Sequence, residues 1–160
     1  IKNSLRIYRD VSEYNKDIII SEDVDSEKIY ALHQNCDCFV NPSRGEAWST
    51  PSFEAMAFGN TPICSDFGGP RDFIDKQDHL TGKLVGGSYA TCQCSDSAFP
   101  DMFTGREYWF SPCDMETRKA MRFYYENQDK KRDKKIGGLT RAKVFSYENV
   151  GGLMKGFLNE

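Results

Sequence analysis

The chain has 160 residues, 39% apolar and 28% charged, with a net charge of −3. That is the composition of one globular domain able to bury a core, and it lacks the basic excess of a nucleic-acid-binding surface. No apolar run approaches the ~20 residues that a membrane-spanning helix requires.

In chain order, Ile18-Ile19-Ile20 is a short continuous apolar run of the kind that forms a buried parallel strand. A turn rich in helix caps follows, with Asp25 or Ser26 as the N-cap. Ile29, Leu32, His33 and Cys36 then recur at helical spacing and predict a helix with one buried face. Cys38-Phe39-Val40 reads as a second strand, ending at Asn41-Pro42-Ser43. Pro51 to Phe58 reads as a helix stopped by Gly59-Asn60. Thr61 to Ser65 is a third strand, followed by the Gly68-Gly69-Pro70 loop and a short helix from Arg71 to Ile74. Gly82 to Val85 is a fourth strand. This alternation predicts an α/β fold, a Rossmann-like parallel sheet flanked by helices.

Residues 86–112 break the rhythm and read as an irregular, aromatic-rich insertion that packs down on the domain. Residues 114–160 read as a helical tail: Asp114 to Asn127, with Met115, Ala120 or Met121, and Tyr124 or Tyr125 facing in; then Leu139 to Phe145; then Tyr147 to Leu158. The whole chain is expected to be a single domain, with the sequence starting at Ile1 as a piece of something longer. The basic cluster Lys130-Lys131-Arg132-Asp133-Lys134-Lys135, before Gly137-Gly138, reads as a solvated helix end whose cations complement the helix dipole.

Six cysteines are present: Cys36, Cys38, Cys64, Cys92, Cys94 and Cys113. The Cys92-x-Cys94 spacing is not that of a zinc knuckle. Reduced thiols in a cytoplasmic protein are the expectation, with peripheral membrane association through a missing half as the alternative.

The chemistry concentrates between Asn41 and Asp75. Thr50 can cap the central helix, and Pro51 fits its first position because no N–H is needed there. Amides around Ala47, Trp48, Ser49 and Thr50 can point at an anion, since helix N-termini attract phosphate. Glu46 precedes the helix and Glu54 lies inside it, so the two carboxylates can flank a diphosphate and accept hydrogen bonds from sugar hydroxyls. Gly68 and Gly69 fall at the carboxyl end of a strand, where open parallel sheets bind ligands and where backbone without side chains can come close to them. Capping and dipole compensation are the plain alternative for the glutamates. Trp48 fits either the core or a sugar-facing wall. Asp23-Val24-Asp25 reads as capping rather than a metal site, and His33 as a core residue; His79 has no visible partner, and Arg71 fits a phosphate contact or the surface equally.

Pro42-Ser43, Glu46, Pro51, Glu54-Ala55-Met56-Ala57, Gly59, Pro62, Gly68-Gly69 and Thr81-Gly82 together resemble the retaining glycosyltransferases of family 4, which have the two-domain GT-B fold. The likeness covers about Ile18 to Val85 well and the helical tail loosely. It implies part of the C-terminal, donor-binding domain of such an enzyme, with the acceptor-binding N-terminal domain elsewhere and this chain inactive alone. The donor would be a nucleotide-diphosphate sugar of UDP or GDP type, and no metal would be needed. Glu54 would hold the ribose, Glu46 would contact the transferred sugar as the catalytic residue, the Ala47–Thr50 backbone would meet sugar and diphosphate, and Val24 would touch the base. The family's usual Glu-Gly-Phe-Gly-Leu-Pro is here Glu46-Ala47-Trp48-Ser49-Thr50-Pro51, and Asp72 stands for its later Glu. Its phosphate-binding Arg and Lys are not recognisable in Ile1 to Asp17. A non-catalytic nucleotide-sugar-binding module and a phosphate-using relative are the alternatives.

Overall fold

The computed structural model describes residues 18–77, 79–92, 103–128 and 131–158. Three parallel strands form its centre: β1 (Cys38–Asn41), β2 (Thr61–Ser65) and β3 (Lys83–Val85), in that spatial order. Cys38 to Asn41 pair with Thr61 to Cys64, and Ile63 to Ser65 pair with Lys83 to Val85. Every residue of β2 is buried, as expected of a central strand covered on both faces.

Alternation along β2 divides the core in two. Cys64 faces Met56, Phe73, Ile74 and Leu84, on the side of α2 (Thr50–Ala57) and α3 (Pro70–Phe73). Ile63 faces Val85, Ala120 and Tyr124, on the side of α4 (Asp114–Glu126). Helix α1 (Ser26–Asn35) begins at Asp25, whose side chain accepts from the Lys28 amide at 2.9 Å. Helix α2 ends in a Schellman turn: Gly59 takes φ +88°, its N–H reaches the Met56 carbonyl, and the Asn60 N–H reaches that of Ala55.

Burial gives the two sheet thiols a titration signature. Desolvation pushes Cys64 up to about 11 and Cys38 up to about 12. A thiol raised in the folded state stabilises fully below its unfolded value and loses that contribution as pH rises through the folded one. Denaturation midpoints are therefore expected to fall from about pH 9 upward, and Cys38→Ala with Cys64→Ala to flatten that limb. Urea titrations at pH 8 and pH 10.5 check this; an identical alkaline loss in the double variant would contradict it.

Several expectations are corrected. Ile18, Ile19 and Ile20 form no strand and are 86%, 50% and 50% exposed; an apolar run becomes a strand only with a ladder partner, and among the described residues β1 pairs only with β2. On α1 only His33 is buried, while Ile29 and Leu32 border a cleft and Cys36 is exposed. On α4 the expected Ala120 and Tyr124 are buried, together with Thr117; of the inward residues only Met115 is misplaced, and Met121 and Tyr125 are the exposed alternatives.

The insertion is not irregular throughout. It contains an antiparallel hairpin, β4 (Gly87–Thr91) with β5 (Tyr108–Pro112). Cys94 and the rest of residues 93–102 lie outside the described residues.

The basic cluster opens helix α5 (Lys131–Val144) instead of closing a helix. Lys134 serves a different dipole: its Nζ donates to the carbonyl of Asn127, the C-cap of α4, at 2.7 Å, and lies 4.8 Å from the centre of the Tyr124 ring. Gly137 and Gly138 sit inside α5, where their bare backbone packs on Leu80 and Met56. Helix α6 (Tyr147–Leu158) continues through Gly151-Gly152 and buries none of its residues. No helix among the described residues is long and apolar enough to cross a membrane.

Candidate functional site

Two loops, leaving the carboxyl ends of β1 and β2, are bound to one another. The Asn41 amide donates to Ser49 Oγ at 3.0 Å and to Ser52 Oγ at 3.3 Å, and Ser49 Oγ donates to Ser52 Oγ at 2.7 Å. This network fastens the loop after β1 to the first turn of α2, and both serines are buried. Ser49 is the N-cap of α2 and holds φ 67°, ψ 61°, the left-handed region. Its carbonyl accepts from the Ser52 and Phe53 amides, each at 3.0 Å.

The loop after β2 locks onto the same segment. Ser65 Oγ donates to the Ser43 carbonyl at 2.5 Å, and the Gly69 N–H donates to the Ala47 carbonyl at 2.7 Å. Gly68 takes φ +64°. A Cβ on Gly68 would overlap the Glu46 carbonyl, and one on Gly69 would overlap the Ala47 carbonyl and the Trp48 backbone. The glycine pair thus permits close approach to the neighbouring loop of the protein itself.

Glu46 is half-buried, and its Oε1 accepts from the Ser49 N–H at 2.9 Å. One of the amides expected to face an anion is therefore taken by a carboxylate from its own loop. Glu54, half-buried on α2, lines a cleft bordered by Ile29, Leu32, His33, Phe39, Pro51 and Asn60. His33 packs on the Phe58 and Phe39 rings, and burial holds its imidazole below the ordinary value, against the pull of nearby Glu54. Asn60 is buried in the same cleft, with Nδ2 3.4 Å from His33 Nδ1 and no hydrogen-bond partner for Oδ1 among the described residues.

The Trp48 side chain turns inward. Its ring packs on Phe53, Phe73 and Phe145 at 5.3–5.7 Å between centroids, so any part this residue takes at the loop surface falls to its backbone. Ala47 and Thr50 are exposed, and Val24 is half-buried immediately before the Asp25 cap. Asp25 is committed to that cap and to a 3.3 Å ion pair with Lys28. His79 has a partner after all, its ring lying 5.7 Å from that of Phe123.

Arg71 is pinned beside the glycine loop. Its Nε meets Asp66 Oδ1 at 2.7 Å and its Nη2 meets the Asp66 carbonyl at 2.6 Å, while Lys76 meets Asp66 Oδ2 at 3.1 Å. Partial burial pushes the Asp66 carboxyl up, but these two cations more than offset it, and the net shift is downward. Asn41, Ser43, Ser65 and Asp66 are recognisable in the sequence as strand-end residues, but their part in tying these loops together is not. The available signal was four polar residues within two residues of the carboxyl ends of apolar strands.

The sequence has relatives. Residues 9–89, about half of the chain, match the family described as Glycosyl transferases group 1. A glycogen synthase from Lachnospira eligens is 36% identical over 73 residues, which cover 46% of this chain and 14% of that protein. The match therefore spans about a seventh of the synthase's length.

Proposed function

The chain belongs to the group 1 glycosyl transferases, and from that premise we propose that it is the donor-binding part of a retaining, hexosyl-type transferase. The donor is a nucleotide-diphosphate sugar, UDP- or GDP-linked, and the acceptor rests on a separate N-terminal domain of the longer protein. The likeness to a glycogen synthase supports a growing glucan as the acceptor. The observation that carries the reading is the position of Glu54 in a cleft beside the N-terminal turn of α2, the turn that the Glu46–Ser49 loop leads into and caps. A carboxylate in a partly apolar cleft suits a ribose, which offers paired hydroxyls below a flat base.

In this role Glu54 accepts from the ribose hydroxyls, and Val24 borders the base. Backbone of Ala47 to Thr50, together with the positive end of α2, stabilises the departing diphosphate. Glu46 holds the loop through Ser49 with one oxygen, which leaves the other to accept from the transferred sugar. Gly68 and Gly69 keep that loop in register. The chain supplies positioning and charge stabilisation, and no metal takes part.

Calorimetric titration with UDP, GDP, ADP and their glucose conjugates tests the proposal. One nucleotide is expected to saturate, and Glu54→Ala to weaken it by about tenfold or more, the equivalent of losing charge-assisted hydrogen bonds to two hydroxyls. Unchanged affinity in Glu54→Ala would defeat the assignment.

A further inference from the structure

Hairpin β4–β5 leaves the carboxyl end of β3, at the same end of the sheet as the loops after β1 and β2. β4 begins two residues after β3, and the Cys113 N–H closes the hairpin base on the Gly86 carbonyl at 2.8 Å. The hairpin is joined to the loops along its β5 edge and on both of its faces. The Phe110 N–H donates to the Arg44 carbonyl at 2.9 Å, and the Arg44 guanidinium lies 4.7 Å from the centre of the Trp109 ring. On the opposite face, Phe110 stacks on Phe67 at 5.9 Å and 11°, and Tyr89 meets both rings edge-on. Phe67 directly precedes Gly68. A row of rings therefore runs from the hairpin to the turn that clamps the Glu46 loop.

The pairing register puts Gly87, Tyr89, Thr91, Tyr108, Phe110 and Pro112 on that ring-bearing face. None of the six carries a charge, while Tyr89 is 62% exposed and Tyr108 is 70% exposed. β5, which carries Tyr108 and Phe110, lies beyond the part of the chain that matches the family, whereas Phe67 and Tyr89 lie within it.

We infer that this face of the hairpin is a docking surface for a neutral oligosaccharide, an acceptor subsite contributed by the donor-side domain. A pyranose has apolar C–H faces and a rim of hydroxyls. It packs flat on an aromatic ring and keeps its rim in water or on phenolic and threonine oxygens. The uncharged face offers no counterion to an acidic headgroup or a phosphate. Its continuity with Phe67 and the Gly68 turn leads a bound glycan toward the loop that handles the transferred sugar. The acceptor role rests on the proposed function; the glycan binding itself does not.

The test is calorimetry on the full-length polypeptide with maltopentaose, cellopentaose and xylopentaose, alongside UDP. At least one pentasaccharide is expected to saturate. Tyr89→Ala and Tyr108→Ala are each expected to weaken it about fivefold, the size of one aromatic stacking contact, and Tyr→Phe at either position to stay within about twofold. Tyr125→Ala, an equally exposed tyrosine on α4, is the control and is expected to change nothing. Saturation-transfer NMR between tyrosine ring protons and the sugar supplies a second readout on the unmodified protein.

Failure of all three pentasaccharides to bind, or full affinity in the Tyr89→Ala/Tyr108→Ala variant, overturns the inference. Nucleotide binding separates it from the donor reading. Pentasaccharide binding lost with the tyrosines while no nucleotide binds supports the hairpin site and defeats the donor assignment. Nucleotide binding that depends on Glu54, with no pentasaccharide bound, does the reverse.

Discussion

Gly69→Ala is expected to destabilise the domain by about 3 kcal/mol, the upper range for forcing one extra carbon into a packed site. The cause is steric alone. Gly69 has φ −56° and ψ −29°, which alanine adopts freely, so no backbone preference is lost. The added methyl group meets the Ala47 carbonyl and the Trp48 backbone, neither of which is a flexible side-chain tip. The Glu46–Ser49 loop must then move, and the Gly69–Ala47 hydrogen bond stretches with it. Trp48 resists because its ring is held among Phe53, Phe73 and Phe145. The natural contrast is Gly152→Ala in α6, where nothing lies within 4 Å; that change is expected to stabilise by about 0.5–1 kcal/mol, because glycine weakens a helix interior. Urea unfolding of both variants checks the pair. A Gly69→Ala protein within about 0.5 kcal/mol of the parent would mean that the two loops are not in fixed contact. Where the variant folds, nucleotide affinity is expected to drop with stability, whereas Gly152→Ala leaves it unchanged.

The same contact shows what the sequence made legible. The strands at Cys38 and Ile63 were readable because each is a short apolar run bounded by polar and turn residues. Helix α2 was readable because Pro51 and Gly59 punctuate it at the two positions where those residues fit. That Glu46 and Glu54 bracket a helix start follows from order along the chain alone. What the Glu46 carboxylate touches does not, since it depends on Ser49 entering the left-handed region and presenting its amide. Trp48 was ambiguous for a related reason: its neighbour Phe145 comes from the far end of the sequence, and only the docking of α5 brings them together. The basic cluster was misplaced because Gly137-Gly138 looks like a helix stop. In the fold those glycines let α5 approach Met56 and Leu80. The hairpin was hidden because its paired strands are separated by residues 92–107 and carry little alternation. Ile18-Ile19-Ile20 had the composition of a strand without a ladder to join among the described residues.

Asn41→Ala is expected to cost about 2 kcal/mol, through the loss of two hydrogen bonds in a site that water does not reach easily. Asn41 lies at the end of β1, and its amide is the link between the sheet and the start of α2. Without it the Ser49–Ser52 hydroxyl pair remains but is no longer tied to the strand. Ser49 itself separates two effects. Ser49→Ala keeps a side chain in the left-handed region and removes the hydroxyl, so it is expected to destabilise by about 1–2 kcal/mol. Ser49→Gly also removes the hydroxyl but relieves roughly 1 kcal/mol of backbone strain, and is expected to fall close to the parent. The order of stability is then parent and Ser49→Gly above Ser49→Ala, with Asn41→Ala lowest. Glycine is the residue usual at this place in the resembled family, so the expectation also explains how serine is tolerated: Asn41 and Ser52 offset a conformation that serine alone disfavours. Equal stability of Ser49→Ala and Ser49→Gly would show that the positive φ carries no strain, and an Asn41→Ala protein as stable as the parent would show that the network does not hold the loop. Nucleotide titration of the same variants reads the function. Ser49→Gly keeps the fold but loosens the Glu46 loop, so its affinity is expected to fall severalfold while its unfolding midpoint stays near that of the parent, a split that a purely structural serine would not produce.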